Sequence, residues 1–304
     1  MDNGYEDYYE EPEPFKARPR DPKTDEAKAA LVELFGRYPE RVFYLQQLKV
    51  LLEDGSLAQE LGVALGKGLF HWITARGLKE LAAEGKINDT VTSLMARVSP
   101  GRVLPGLPAI RFFWHRPNRY WRRKAEAIRK LVVEFSQSEF GHALGYHGEQ
   151  MFDAALPRVG FLPAGRNVRE YAGKAWTETG HNFDRVFCRD GIAYGTEVKN
   201  TLDYIDRDEL QVKLRMCEAL GLKPLFIVRM APKSYVEEVR RTGGFTLIFK
   251  FQLYPFGHDE LARRVKEQLG LPVACPVAIA DGTVERFLNW HLETHGLAGG
   301  GVNL

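Results

Sequence analysis

The sequence predicts an α/β fold, with a mixed sheet flanked by helices in its second half and a mainly helical region before it. Three observations carry this. Two runs rich in β-branched and aromatic residues, NFDRVFC and IAYGTEVK, flank Asp190-Gly191, a residue pair that tight hairpin turns favour. A helical segment, DRDELQVKLRMCEALGLK, leads directly into the apolar strand PLFIV. Before residue 90, apolar residues recur at helical spacing in three successive segments. Strands alternating with helices around a hairpin indicate a sheet covered by helices.

Taken in order, residues 1–25 read as a disordered acidic tail. The first fifteen residues hold six acids and no base, with Pro and Tyr and no periodicity. EAKAALVELFGRY then places Ala30, Leu31, Leu34 and Phe35 on one helical face. RVFYLQQLKVLLEDG reads as a second helix stopping at Gly55. KGLFHWITARGLKELAAEGKI reads as a third, with Phe70, Ile73, Leu78 and Leu81 inward and an end near Gly85. TVTSLMARV and AIRFFWHR read as short strands around the loop SPGRVLPGLP. Three helices followed by a strand pair is the order of a winged helix, and residues 26–130 are assigned to such a nucleic-acid-binding domain. Its third helix would be the recognition element, with His71, Thr74, Arg76 and Lys79 on its polar side. A helical packing or dimerisation module is the alternative.

NRYWRRKAEAIRKLVVEFSQSEF reads as one long helix joining the two parts. Residues 111–130 carry eight bases and one acid, although the whole chain has a net charge of only +2. Such local asymmetry governs polyanion binding more than the total does. Arg116, Arg119, Arg122, Arg123 and Lys124, with Arg76 and Lys79, are the candidate phosphate contacts. Trp114, Tyr120 and Trp121 could stack on unpaired bases. Packing under the arginine stems is the expectation for most of them.

Residues 131–304 hold the candidate chemistry. GYHGEQMFDAALPRVGF reads as a helix carrying Glu149 and closed by Gly160-Phe161. Asp184 starts the first hairpin strand; Glu197 and Lys199, two apart on the second, leave the same face. Cross-strand pairing could bring Asp184 close to Glu197. Two neighbouring carboxylates repel, and a divalent cation such as Mg²⁺ or Mn²⁺ relieves them, keeping waters and accepting phosphate oxygens. A lysine beside that ion can orient water or neutralise charge on phosphorus. Metal-assisted phosphodiester hydrolysis is the leading expectation. A solvated Glu197–Lys199 ion pair on an ordinary hairpin is the alternative. Gly195, inside the strand, suggests close approach of another backbone or of a ligand. Further on, GGFTLIFKFQLYPFG supplies one or two strands, HDELARRVKEQLG and VERFLNWHLETHG two helices, and GLAGGGVNL a frayed tail.

From about Glu149 to Arg229, the order of helix with Glu, hairpin with Asp and ExK, helix with Gln and apolar strand resembles the PD-(D/E)xK nuclease superfamily. Archaeal Holliday-junction resolvases and type IV restriction endonucleases are the members it looks most like. The resemblance implies a restriction-endonuclease-like fold, with Asp184, Glu197 and Glu149 binding metal, Lys199 assisting the water and Gln211 completing the site. It also implies DNA as the favoured substrate, a 5′-phosphate product, and a homodimer if both strands of a duplex are cut. Phe183 stands where the family often has Pro. Two other readings stay open: a non-catalytic DNA-binding or assembly protein on a nuclease scaffold, and a nuclease specific for RNA or single strands.

Composition removes other classes. With 44% hydrophobic and 27% charged residues the chain reads as globular, and it has no apolar run long enough for a membrane span. Cys188, Cys217 and Cys275 are odd in number and far apart, which fits neither a disulfide framework nor a zinc ribbon. With an N-terminus lacking an apolar signal, a reducing cytoplasm is the expected location. GVALGKG has the wrong glycine spacing for a phosphate-binding loop and no Ser or Thr after Lys67. His142 and His147, five apart, do not share a helix face as zinc ligands. His181, just before Asp184, is a further candidate near the scissile phosphate.

Overall fold

The computed structural model describes residues 20–53, 69–92 and 110–297. The chain divides into two units, residues 1–138 with 263–272, and residues 139–262 with 273–304. The first boundary therefore falls after Ser138, whereas the sequence suggested residue 130. The basic helix lies wholly in the first unit, where it packs on that unit's own strands.

The first unit runs α1 (Thr24–Arg37), β1 (Val42–Tyr44), α2 (Leu45–Glu53), α3 (His71–Ala83), β2 (Ile87–Thr92), β3 (Ile110–His115) and α4 (Trp121–Phe135). Its antiparallel sheet has the order β1-β3-β2. Ala27, Leu31, Leu34 and Phe35 of α1 close a core with Leu48 and Leu51 of α2 and Ile73, Leu78 and Leu81 of α3. The segment RVFY, expected to be helical, begins with a strand instead. Val42, Phe43 and Tyr44 are all buried and pair with Trp114, Phe113 and Phe112. β-Branched and aromatic residues suit that half-covered pleat better than a helix start. The expected long linking helix is also broken. α4 ends at Phe135 with Ser136 as its C-cap, and a new helix starts at Ser138. The expected stop at Gly55, the GVALGKG turn, the whole SPGRVLPGLP loop and most of the two tails lie outside the described residues.

The second unit contains α5 (Ser138–Ala155) with a 3₁₀ turn over Leu156–Val159, β4 (Leu162–Val168), a ribbon of β5 (Glu170–Tyr171) and β6 (Lys174–Ala175), β7 (Phe183–Arg189) and β8 (Ile192–Lys199). There follow α6 (Arg207–Leu220), β9 (Lys223–Val228), α7 (Lys233–Arg241), β10 (Phe245–Ile248) and β11 (Gln252–Leu253). The chain closes with α8 (Asp259–Leu269), whose second half belongs to the first unit, then β12 (Val273–Ala274) and α9 (Asp281–Thr294). The five-stranded sheet has the order β10-β9-β8-β7-β4; β4, β7 and β8 run antiparallel in turn, and β8, β9 and β10 run parallel.

Side-chain alternation sorts this sheet into two covered faces. On one, Phe187, Tyr194, Val198, Leu225 and Ile227 pack with Met151 and Phe152 of α5 and with Val284 and Phe287 of α9. On the other, Phe226 and Val228 pack with Leu210 and Leu214 of α6 and Val239 of α7, while Val186 packs with Met216, Cys217 and Leu220 of α6. The C-terminal helix is also tied to the hairpin turn. His291 of α9, fully buried, bonds Tyr194 Oη through Nδ1 at 2.7 Å and Asp190 Oδ2 through Nε2 at 3.0 Å. His295 Nε2 lies 3.1 Å from the same tyrosine oxygen. Among the described residues no helix is long and apolar enough to cross a membrane.

Candidate active site

The hairpin turns where the sequence indicated, with Asp190 (φ 50°) and Gly191 (φ 75°) both left-handed, as a two-residue turn between twisted strands requires. β7 and β8 pair from Arg189↔Ile192 back to Arg185↔Thr196. Just beyond that last pair, Asp184 Oδ2 accepts a hydrogen bond from Val198 N at 2.8 Å. The two strands thus bring Asp184 to the place where Glu197 leaves β8.

Glu197 and Lys199 leave the face of β8 opposite Tyr194 and Val198, toward α6. Glu197 is only 3% exposed, so it is not part of a solvated surface pair. Lys199 Nζ lies 3.0 Å from Glu197 Oε1 and 2.8 Å from Glu209 Oε1. Lys213 Nζ donates to the other oxygen, Oε2, and to the Asn182 carbonyl. α6 delivers both partners from one face, since Glu209 and Lys213 are one turn apart. Its start is held by Asp206, whose carboxylate accepts from Asp208 N at 2.8 Å and Glu209 N at 3.2 Å.

On the α5 side, Arg185 is a buried hub. Its Nε donates to both oxygens of Asp153 at 2.7 and 2.9 Å, and its Nη2 to Asp153 Oδ2 at 2.7 Å. Its Nη1 donates to the Asp184 carbonyl at 2.6 Å and lies 3.0 Å from Glu149 Oε2. Glu149 therefore faces the hairpin, but through Arg185. The height of α5 depends on Gly148, where a Cβ would come within 2.8 Å of Asn200 Cβ. Asn200 in turn binds the Leu144 carbonyl at 2.8 Å and the backbone of Leu253 at 2.7 Å.

Burial dominates the electrostatics of both acids. Burial pushes the Glu197 carboxyl above its ordinary range, and the Asp184 charge adds to the rise, against the pull of Lys213 and Lys199. Burial also raises Asp184; the Val198 N–H opposes this, and the Glu149 charge reinforces it. Burial works against the Lys199 ammonium, but Glu197 and then Glu209 outweigh it and its pKa rises. Asp184 and Glu197 are thus two neighbouring acids held above their ordinary range chiefly by burial and further by a nearby carboxylate. That donor set fits Mg²⁺ or Mn²⁺, which need only one or two carboxylates beside water and phosphate. Among the described residues no group of three or more His, Cys, Asp or Glu is placed to hold a metal ion. Glu149 is paired with Arg185, whose Nη1 lies 3.0 Å from its Oε2.

Several expected residues lie elsewhere. Gln211 does not turn to the acids; its Nε2 donates to Glu238 of α7, because the α6 face toward β8 is taken by Glu209 and Lys213. Gly195 makes room for no backbone or ligand, since a Cβ there would meet the Phe183 ring at 2.8 Å. His181 is held in its own loop, with Nδ1 2.8 Å from Thr179 Oγ1. His147 is buried against the Phe256 ring, and burial lowers its pKa.

Sequence reasoning missed Lys213, Glu209, Arg185 and Asp153, and two of these left a signal. Lys213 interrupts the buried stripe Leu210, Leu214, Cys217 at helical spacing. Arg185 occupies an inward position of β7, between Phe183 and Phe187.

In the first unit, Arg116, Arg119, Arg122, Arg123 and Lys79 are exposed and Arg76 is partly so. Lys124 is committed to the Glu40 carbonyl. His71 and Thr74 are not on the polar side of α3. Both are buried, on the stripe that continues to Leu78 and Leu81, and His71 Nε2 lies 3.1 Å from Glu53 Oε2. Trp114 and Trp121 stack on each other with ring centres 4.1 Å apart, while Tyr120 is 75% exposed beside the arginines.

No protein-family model, no curated protein and no solved structure matches the chain.

Proposed function

We propose that this protein is a divalent-metal-dependent endonuclease of the PD-(D/E)xK type, acting on DNA, with a winged-helix-like N-terminal domain that holds the substrate. The observation that carries this reading is Glu197: a carboxylate buried in a sheet, beside a second acid and between two lysines. Burying such a set is a poor way to stabilise a fold, because desolvation offsets most of the Coulombic gain. Perturbed acids of this kind concentrate at functional sites. The order α5, β4, β7, β8, α6, β9 supports the restriction-endonuclease-like assignment. In the first unit, helix, strand, two helices and a strand pair support the winged-helix one.

A bound Mg²⁺ or Mn²⁺ would supply an acidified water and neutralise phosphate charge. Asp184 and Glu197 would hold the ion, with Glu149 as the outer acid on Arg185. Lys199, fixed between Glu197 and Glu209, would present an ammonium to the negative charge that develops on phosphorus. Arg116, Arg119, Arg122 and Arg123 would track the backbone, with Arg76 and Lys79 of α3 reaching the duplex. A homodimer would place one site on each strand, and cytoplasmic action fits the three unpaired cysteines.

A second reading has an observation of its own. Both oxygens of Glu197 already have lysine partners, as in a closed ion-pair network on a non-catalytic scaffold. Plasmid DNA and circular single-stranded DNA incubated with Mg²⁺, Mn²⁺ or EDTA, beside Glu197→Gln, separate the two. Metal-dependent nicking lost in the variant supports the nuclease, and the preferred form names the substrate. Tight binding with no cleavage of either DNA supports the scaffold reading.

A further inference from the structure

Lys213 differs from Lys199 in ways the proposed chemistry leaves unused. Its side chain is 4% exposed, against 30% for Lys199. Its Nζ sits in a built cage: the Glu197 Oε2 oxygen, the Asn182 carbonyl oxygen, and the face of Phe183, whose ring centre is 5.5 Å away. Two oxygens and an aromatic face are the surroundings a cation selects. Lys199 divides its charge between Glu197 and Glu209, whereas Glu197 is the one carboxylate that pairs with Lys213 among the described residues. The cage also draws from three places in the chain: Asn182 before β7, Phe183 at the start of β7 and Glu197 of β8, around a lysine of α6. A lysine here is costly to bury, and a leucine would continue the stripe of α6. Its presence calls for a role that packing does not supply.

We infer that Lys213 is the resident cation of the acidic site, competing with a divalent metal ion for Glu197 and so setting how tightly the site takes metal. This rests on reading Asp184 and Glu197 as the metal ligands. With Lys213 in place, Glu197 is partly neutralised and the fold does not need metal to tolerate the acids. An incoming ion must share Glu197 Oε2 with the ammonium or push it aside. Neutralising residue 213 removes that competitor and leaves Glu197 and Asp184 underbalanced, so the site becomes a stronger cation trap.

The test is Mn²⁺ binding by the full chain, read from the electron paramagnetic resonance signal of free Mn²⁺. Wild type is compared with Lys213→Gln, Lys213→Met, Lys213→Arg and Glu197→Gln. The expected result is a Kd about tenfold lower in Lys213→Gln and Lys213→Met, and unchanged within about threefold in Lys213→Arg, which keeps the charge. Mn²⁺ should also raise the melting temperature of the two neutral variants more than that of wild type. If Lys213→Met does not fold, Lys213→Gln, which keeps donors for both oxygens, carries the comparison. Equal or weaker Mn²⁺ binding in the neutral variants, with binding lost in Glu197→Gln, overturns the role of Lys213 and leaves the metal site standing. Absence of Mn²⁺ binding from every protein overturns both.

Discussion

The two charged clusters built on the β7–β8 hairpin make opposite use of burial. On the α5 side the centre is a cation, Arg185, whose planar fork is matched by Asp153, Glu149 and a backbone carbonyl. Its donors are met by fixed acceptors, and the cluster is closed. On the α6 side the centre is an anion, Glu197, held by two single-point ammonium contacts and pushed toward its neutral form by burial and by Asp184. Lysines are compact charges on flexible stems and exchange partners more readily than a guanidinium fork does. One cluster is therefore a rivet and the other, in the proposed reading, a receptor, with Asp184 linking them through its carbonyl on one side and its carboxylate on the other.

The contrast is broken most strongly at its receptor end. Glu197→Ala should lower metal-dependent cleavage by at least about a thousandfold. It should also destabilise the chain by about 3–5 kcal/mol, because two ammonium groups lose a buried partner. Cleavage within tenfold of wild type would show that Glu197 is only another rivet. Arg185→Met attacks the other cluster. A loss of about 3–5 kcal/mol in urea unfolding is expected, since Asp153 and Glu149 are left facing each other. A variant as stable as wild type would deny that this cluster is structural.

Asp184→Asn tests the acid between them and should carry a pH signature. The folded Asp184 carboxyl titrates above its ordinary value near 3.8, so the native state holds its proton more tightly than the unfolded chain. The stability this provides is present in acid and is lost as pH rises through the folded pKa. In EDTA the asparagine variant should match wild type in acid and be the more stable of the two at neutral pH. A gap that shrinks as pH rises would refute the uncompensated acid pair. Gln211→Ala is the mildest change. With its amide on Glu238, its removal should cost less than about 0.5 kcal/mol and leave cleavage within about twofold. A large loss of cleavage would return Gln211 to the site.

What could be read from the sequence was what a local rule decides. Asp190-Gly191 declares its turn, and the two-residue spacing of Glu197 and Lys199 puts both on one face. The inward face of α1 follows from helical spacing alone. What escaped depends on partners distant in the chain. Val42–Tyr44 is a strand because β3 comes to pair with it, and Gln211 points away from the acids because Glu238 and the neighbouring Lys213 settle its direction. Lys213 and Arg185 were visible as charges at apolar positions, but only the fold shows that each has an acid waiting for it.

His291 gives the hairpin a dependence on time. Its buried ring closes on Asp190 from 101 residues downstream. During synthesis the acids and their turn leave the ribosome well before the helix that clamps the turn. A nascent chain therefore carries Asp184, Glu197 and Lys199 while the hairpin that aligns them still lacks its far anchor.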